Sequence, residues 1–396
     1  MSVPVAMVAG EASGDLLASL LLPPLKERVP QLATYGIGGP RMAEQGFRND
    51  WTIDKLAVRG YVEVLRHYFE IAGIRSTLKR RLVEQPPAAF IGIDAPDFNL
   101  DLELALREVW RGQGRPVVHF IGPSIWAWRG KRIEKIKRAV DHILVLFPFE
   151  EAIYRDAGIA ATYVGHPLAD VIPLEPDRAA ARNALGVSPD ARLVALLPGS
   201  RLSEVHYMAR TFIDAAVLLH RRHPDVQFIV PMASTEARHA FETIRSAGGD
   251  ERGGEFPLRI FDGHSHDALA AADAVLVASG TATLETALFK RPMVIAYQMA
   301  ALSAMIMRRM GYLPWVGLPN ILAREMLVPE FLQEAATPES LAHALDHQLS
   351  DDHNRHHLEQ RFREMHESLR CNTGERAAAV IAELLERSQP LKSGRS

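Results

Sequence analysis

Ala274-Val275-Leu276-Val277-Ala278-Ser279-Gly280-Thr281-Ala282-Thr283-Leu284-Glu285-Thr286-Ala287-Leu288-Phe289 is the stretch whose reading decides the fold. A short Val-rich run stops at Ser-Gly, and a helix-forming run begins at once. That is the pattern of a buried parallel strand feeding a helix through a tight turn. Such a turn leaves the first helical N–H groups unpaired, with the positive end of the helix dipole behind them. Ser279, Thr281 and Thr283 add hydroxyls, so a phosphate or diphosphate fits there. Glu285 lies about one helical turn on, where a carboxylate accepts hydrogen bonds from the vicinal hydroxyls of a ribose. Thr281 and Glu285 also stand close to capping-box spacing, so the same residues fit a plain helix start.

Working outward, strand-like runs recur at 5–9, 33–37, 88–93, 117–121, 142–147 and 162–164, then at 193–197, 227–231, 258–261, 274–277 and 293–297. Helix-period runs lie between most of them, which implies α/β architecture with parallel sheets covered on both faces. A Pro-rich stretch through Pro173 and Pro176, then a new helix and a new strand, marks a boundary. The expected division is 1–170, a hinge at 171–190, 191–365, and a C-terminal helix and tail at 366–396. The tail from 338 to 388 is helical in pattern and expected to pack across domains or subunits.

The 396 residues suffice for two domains, and 47% hydrophobic with 23% charged content is that of a water-soluble globular chain. A net charge of −3 gives no support to bulk nucleic-acid binding. Cys371 is the one cysteine, so neither an intramolecular disulfide nor a cysteine metal cluster forms. The first residues read as a strand, not a signal peptide. The longest uncharged window, 292–307, is shorter than the roughly 20 apolar residues of a membrane span.

Ligands of such sheets gather at the carboxyl ends of strands, so the residues just after each strand carry the function. The first strand runs into Gly10-Glu11-Ala12-Ser13-Gly14-Asp15, with Glu11, Ser13 and Asp15 at the sheet's mouth; Ser13 or Asp15 also suits a helix cap. Gly36-Ile37-Gly38-Gly39-Pro40-Arg41 starts like a dinucleotide fingerprint, but Arg41 stands where the third glycine belongs, which argues against a Rossmann dehydrogenase. Asp94-Ala95-Pro96-Asp97 ends another strand with two acids. Pro96 pushes Ala95 out of helical conformation, so an extended turn is expected there. One of the two carboxylates suits a general base on a sugar hydroxyl, and Asp97 also suits a helix cap.

Residues 58–81 form an amphipathic basic pattern that fits a sheet-packed helix or an anionic membrane surface. Between Arg107 and Arg138 nine basic residues stand against Glu108 and Glu134, with Trp126 and Trp128 among them. That composition suits sugars, lipid headgroups or phosphate. His166 ends a strand beside the hinge, where it faces a cleft or serves structure alone. Pro198-Gly199-Ser200-Arg201 offers a second strand-to-helix loop, with Arg201 a charged fork suited to a diphosphate. A Met-rich segment, 298–322, carries Arg308 and Arg309 and reaches Asn320; it fits core, a lipid-tail site or a membrane contact.

Seven motifs in register, at 10–15, 92–99, 123–129, 165–167, 197–201, 279–285 and 318–320, make the chain resemble the lipid-A-disaccharide synthase family of glycosyltransferases (family 19) from about residue 5 to about 385. Where relatives often read Lys-Pro-Asp, this chain has Gln85-Pro86-Pro87-Ala88, so no acid stands there. The resemblance implies a GT-B enzyme: two Rossmann-like, doubly wound parallel-sheet domains facing a cleft. It implies inverting transfer of 2,3-diacylglucosamine from UDP to the 6-hydroxyl of 2,3-diacylglucosamine 1-phosphate, with no metal or other cofactor. The expected setting is the cytoplasmic face of a Gram-negative inner membrane, held peripherally, with homo-oligomerisation open. On this reading Asp97 is the base, and Glu11, Ser13, Asp15, Asp94 and Trp126 shape the acceptor pocket in the first domain. Ser200, Arg201, Ser279, Gly280, Thr281, Glu285 and Asn320 hold UDP in the second. Another UDP-sugar GT-B enzyme, such as an N-acetylglucosaminyltransferase or a UDP-sugar 2-epimerase, is the alternative, and a lipid-binding scaffold is the non-enzymatic one.

Overall fold

The computed structural model describes residues 2–55, 64–127, 129–247, 256–300 and 313–388, except for the side chains of residues 54 and 64–69. It divides into two compact units, Met1–Asp170 with Leu369–Ser396, and Val171–Ser368.

The first unit contains β1 (Val3–Ala9), β2 (Leu32–Gly38), β3 (Arg48–Thr52), β4 (Ala89–Ile93), β5 (Val117–Phe120), β6 (His142–Val145) and β7 (Ala161–Tyr163). They form one sheet in the order β3-β2-β1-β4-β5-β6-β7, with every pairing parallel. The chain steps outward from β1 to β3 and then returns to the other side of β1, so the order reverses between β1 and β4. In doubly wound sheets that reversal opens a crevice at the carboxyl ends of the two strands. The central strands β1 and β4 are apolar throughout because both faces are covered. Val5, Met7 and Ala9 enter one core with Leu17, Leu21 and Leu25 of the helix Ala12–Arg28. Ala6 and Val8 enter the other with Leu78 and Leu82 of the helix Val64–Glu84. The last helix, Thr373–Ser388, completes this unit by packing Ala377, Ile381 and Leu385 into the first core. Glycine at 374 permits that approach, since a Cβ there would stand 2.3 Å from the Leu20 carbonyl oxygen.

The second unit repeats the plan with β8 (Arg192–Leu197), β9 (Val226–Met232), β10 (Leu258–Asp262), β11 (Ala274–Ala278), β12 (Met293–Tyr297) and β13 (Glu330–Leu332). The order is β10-β9-β8-β11-β12-β13, again wholly parallel, and it reverses between β8 and β11. Val194, Leu196, Leu276 and Val294 pack against Val205, Met208 and Phe212 of the helix Leu202–Arg222. The doubly wound architecture expected from the sequence is therefore present twice.

Two strands go beyond the sequence reading, β3 and β13, and both are sheet edges. Of the amphipathic pattern at 58–81, residues 58–63 lie outside the described residues. The described helix buries Ile74 and Leu78, as a sheet-packed helix does. Much of the Met-rich segment, 301–312 with Arg308 and Arg309, also lies outside them.

Candidate active site

The two reversals in strand order fall at the loops the sequence singled out. In the first unit, the loop after β1 and the turn after β4 meet: the Ser13 hydroxyl donates to Asp94 Oδ2 at 3.0 Å. The β4 turn is strained. Asp94 and Ala95 both have left-handed backbones, φ +53° and +44°, and neither is a glycine. Pro96 does drive Ala95 out of the right-handed helical region, but into the left-handed one and not the expected extended one. Non-glycine residues in that region cost about 1–3 kcal/mol each and persist only where their surroundings over-determine them. Here Asn99 Nδ2 donates to the Asp94 carbonyl at 2.8 Å, and the Asp94 N–H donates to the Phe120 carbonyl at 2.9 Å.

Asp97 stands in the first turn of the helix Pro96–Val109, whose cap position is Ala95. Its side chain is 80% exposed and forms an ion pair with Arg132. Glu11 is exposed at the start of the helix Ala12–Arg28 and makes no cap hydrogen bond there. Asp15 requires a correction. It is buried, and its carboxylate accepts from the N–H groups of Gly39, Arg41 and Met42 at 2.9, 3.1 and 3.0 Å. It is a brace for the start of the helix Pro40–Glu44, not a side chain facing a ligand.

An aromatic cluster stands after β6. Trp126 donates from Nε1 to Glu150 Oε1 at 2.9 Å and meets Phe147 and Phe149 edge-on. Burial pushes the Glu150 carboxyl up to about 7, although the N–H groups of Phe147 and Leu146 and the Trp126 indole favour its charge. His166 stacks on Phe147 with ring centroids 5.5 Å apart, and Nδ1 accepts from the Leu168 N–H at 3.2 Å. Burial lowers its pKa to about 4, so at neutral pH it is an uncharged packing residue. Trp128 lies outside the described residues. Part of the basic run is spoken for: Arg107 pairs with Asp141, Lys135 with Asp101 and Arg138 with Glu108.

In the second unit, β11 ends at Ala278 and the helix Thr281–Leu288 starts after Gly280, whose φ is +151°. Helix geometry leaves the N–H groups of Thr281 and Ala282 without intrahelical acceptors, aimed away from the helix. The Ser279 N–H is not among them, because it donates to the Ala296 carbonyl at 3.1 Å, and the Ser279 hydroxyl donates to Val316 O at 3.3 Å. The N–H groups left open at this helix start are therefore those of Thr281 and Ala282, and the Ser279 N–H is not one of them. Thr283 is buried, its hydroxyl spent on the Gly280 carbonyl and the Leu318 N–H.

The loop after β8 is held from below. Glu204 Oε2 accepts from the Ser200 and Arg201 N–H groups at 2.9 and 3.2 Å. A Cβ at Gly199 would lie 2.3 Å from the Glu204 Cβ, so only glycine admits this brace. The Arg201 side chain is left 77% exposed and meets Glu204 Oε1 at 3.2 Å. Glu285 is mostly buried and meets His266 Nε2 at 3.4 Å. That hydrogen bond raises the His266 pKa against its partial burial. His266 was not singled out in the sequence; a His-Asp pair at a helix start after a strand carries no signal of a partner 19 residues away. Asn320 is a second correction. It is fully buried, donating to Val328 O and Glu330 Oε1 at 2.8 and 2.7 Å and accepting from the Val328 N–H at 2.9 Å. Its amide braces the loop 316–320 and is not offered to a nucleotide.

The comparisons agree with this geometry. A protein-family model described as lipid-A-disaccharide synthetase matches residues 5–381. The lipid-A-disaccharide synthase of Aromatoleum aromaticum is 54% identical over 396 residues, covering 100% of this chain and 99% of that one. The chain belongs to the lipid-A-disaccharide synthase family. The synthase of Azoarcus sp. is 53% identical over 98% of the chain and 97% of its own. Members of this family are glycosyltransferases, so the chain is an enzyme of lipid A biosynthesis. Among solved structures, the UDP-GlcNAc 2-epimerase of Neisseria meningitidis bound to UDP-GlcNAc matches with TM-score 0.62 at 10% identity, over 98% of this chain and all of that one. The calicheamicin glycosyltransferase CalG4 matches with TM-score 0.60 at 14% identity, over 98% and 100%. At such identities these likenesses speak to the fold, that of a GT-B glycosyltransferase.

Proposed function

We propose that the chain transfers 2,3-diacylglucosamine from its UDP donor to the 6-hydroxyl of 2,3-diacylglucosamine 1-phosphate, with inversion at the anomeric carbon. The products are a β-1,6-linked disaccharide 1-phosphate and UDP. The observation that carries this reading is the full-length match to lipid-A-disaccharide synthases, over which an acidic turn and an arginine-plus-helix-start loop both occupy strand-order reversals.

Inversion needs a base for the acceptor proton and a positive group for the charge that grows on the leaving UDP. Asp94 is the better placed base: its backbone is strained, it stands at the β1/β4 reversal, and Ser13 orients its carboxylate. Asp97, expected from sequence to take that part, is the second reading, favoured by its exposure and weakened by its ion pair with Arg132. Glu11 and Trp126 line the acceptor side. Arg201 with the Thr281 and Ala282 N–H groups receives the diphosphate, and no metal is invoked because a guanidinium and a helix dipole supply the charge. Glu285, steadied by His266, takes the ribose hydroxyls. The acylated substrates are met at a membrane surface from its cytoplasmic side; among the described residues no helix is long and apolar enough to cross a membrane.

Incubation with both acylated substrates, read by mass spectrometry, tests the proposal. It predicts a disaccharide 1-phosphate that depends on the acyl chains of the donor. Equal turnover of UDP-N-acetylglucosamine, or its 2-epimerisation, would instead support the other UDP-sugar enzymes of this fold.

A further inference from the structure

Beneath the acidic turn lies a group of polar side chains that the mechanism above does not use. Asn99, Glu103 and His119 are all fully buried. Asn99 and Glu103 stand on one face of the helix Pro96–Val109, one turn apart, and His119 lies on β5 directly opposite Gly92 of β4. Glu103 Oε1 meets His119 Nδ1 at 2.7 Å. Asn99 Nδ2 reaches the carbonyls of Asp94, Ile93 and Val8 at 2.8, 3.4 and 3.3 Å. Glycine at 92 makes the room, since a Cβ there would fall 2.0 Å from Glu103 Oε1 and 3.1 Å from the Asn99 Cβ.

A hydrogen-bonded acid and imidazole with no exposure are a poor way to stabilise a fold, because desolvation offsets most of their attraction and an apolar pair does as well. Among the described residues Glu103 Oε2, Asn99 Oδ1 and His119 Nε2 are moreover buried without a partner, a cost that stability alone does not explain. What surrounds them is a concentration of backbone strain. Asp94, Ala95 and the β-branched Ile121 all have left-handed φ, and they sit together at the carboxyl ends of β4 and β5. Burial disfavours charge on His119, yet the Glu103 and Asp94 carboxylates and the Ile121 backbone overcome it and raise its pKa. Asp94 is thus felt electrically by the buried group as well as tethered to it through Asn99.

We propose that Asn99, Glu103 and His119 are positioning residues for glycosyl transfer: a buried polar brace that holds the Asp94–Ala95 turn in its strained form and so fixes the Asp94 carboxylate against the acceptor hydroxyl. This rests on Asp94 as the base. The brace touches neither substrate, and its effect on the reaction passes through the turn. A misplacement near 1 Å at a reacting group costs on the order of a hundredfold in rate.

The experiment uses Asn99→Asp, which keeps size and removes the donor to the Asp94 carbonyl, and Glu103→Gln, which keeps shape and removes the charge. Each is measured for kcat, donor KM, UDP affinity and thermal unfolding, alone and combined with Asp94→Asn. Expected are falls in kcat of about ten- to hundredfold with donor KM and UDP affinity unchanged. In the Asp94→Asn background neither change should lower kcat further, because the group they position is already gone. Wild-type kcat in a folded Asn99→Asp or Glu103→Gln variant overturns the proposal, as does a full additional loss on top of Asp94→Asn. If Asn99→Asp does not fold, Glu103→Gln decides alone, and His119→Asn, which retains a donor to Glu103, should recover more activity than His119→Ala. Near-normal turnover by Asp94→Asn itself, with the brace variants still impaired, would remove Asp94 as base and overturn the proposed route through its carboxylate, leaving the buried group a support for the turn alone.

Discussion

Replacing Asn320 by alanine separates a structural brace from a nucleotide contact. The wild-type amide makes three buried hydrogen bonds, two to the Val328 backbone and one to the Glu330 carboxylate, and Glu330 in turn accepts from the Val316 and Gly317 N–H groups at 2.9 Å. Two neutral bonds contribute about 1 kcal/mol each and the charge-assisted one about 1.5–3 kcal/mol. The buried Val328 N–H is then left unpaired, so the loss is about 4 kcal/mol. For a unit the size of Val171–Ser368, that corresponds to a fall in Tm of roughly 8–16 °C, at about 2–4 °C per kcal/mol. Calorimetric unfolding measures the shift, and UDP titration well below the transition measures binding. The expected result is a much lower Tm with UDP affinity within a few-fold of wild type. An unchanged Tm with a large loss of UDP affinity would refute the reasoning and make Asn320 a nucleotide ligand.

Arg201→Ala should raise the apparent donor KM at least tenfold while leaving Tm within about 1 °C, because the side chain is largely exposed and packs on little; an unaltered steady-state donor KM would exclude it from the diphosphate. Glu204→Ala should cost about 1–2 kcal/mol by thermal unfolding, since two loop N–H groups and a helix start lose their acceptor. Glu285→Gln should bring the His266 titration, followed by NMR, down from its raised value, and an unmoved midpoint would show the pair to be unimportant in solution. His166 has its folded pKa lowered to about 4 by burial, so the unfolded chain binds its proton first. Its contribution to stability is present above about pH 6.5 and lost as the pH falls towards about 4. His166→Phe should flatten that acid limb of the stability profile.

The parallel sheets were legible because their central strands are apolar on both faces. Val194 to Leu197 and Ala274 to Ala278 admit few other readings, and their ends point straight at the loops. The edges were not: Arg48–Thr52 is polar and half exposed, and Glu330–Leu332 is three residues long, so neither carries a period that burial would impose. In the site, residue types were legible and their partners were not. Asp15, Asn320 and Ser279 look like ligand groups in sequence. The structure spends the first two on backbone N–H and carbonyl groups of distant loops, and the Ser279 N–H on the neighbouring strand. Satisfaction of buried backbone is a three-dimensional demand that spacing does not record. The strain at Asp94 and Ala95 was half visible, through Pro96, and its left-handed form came only with the structure.

The central claim is that the acid turn at the β1/β4 reversal deprotonates the acceptor while the other unit holds the nucleotide. Turnover of Asp94→Asn at saturating acylated donor and acceptor tests it most directly. The account predicts a fall in kcat of about 10²–10⁴, the usual contribution of a general base. A kcat within threefold of wild type would contradict it.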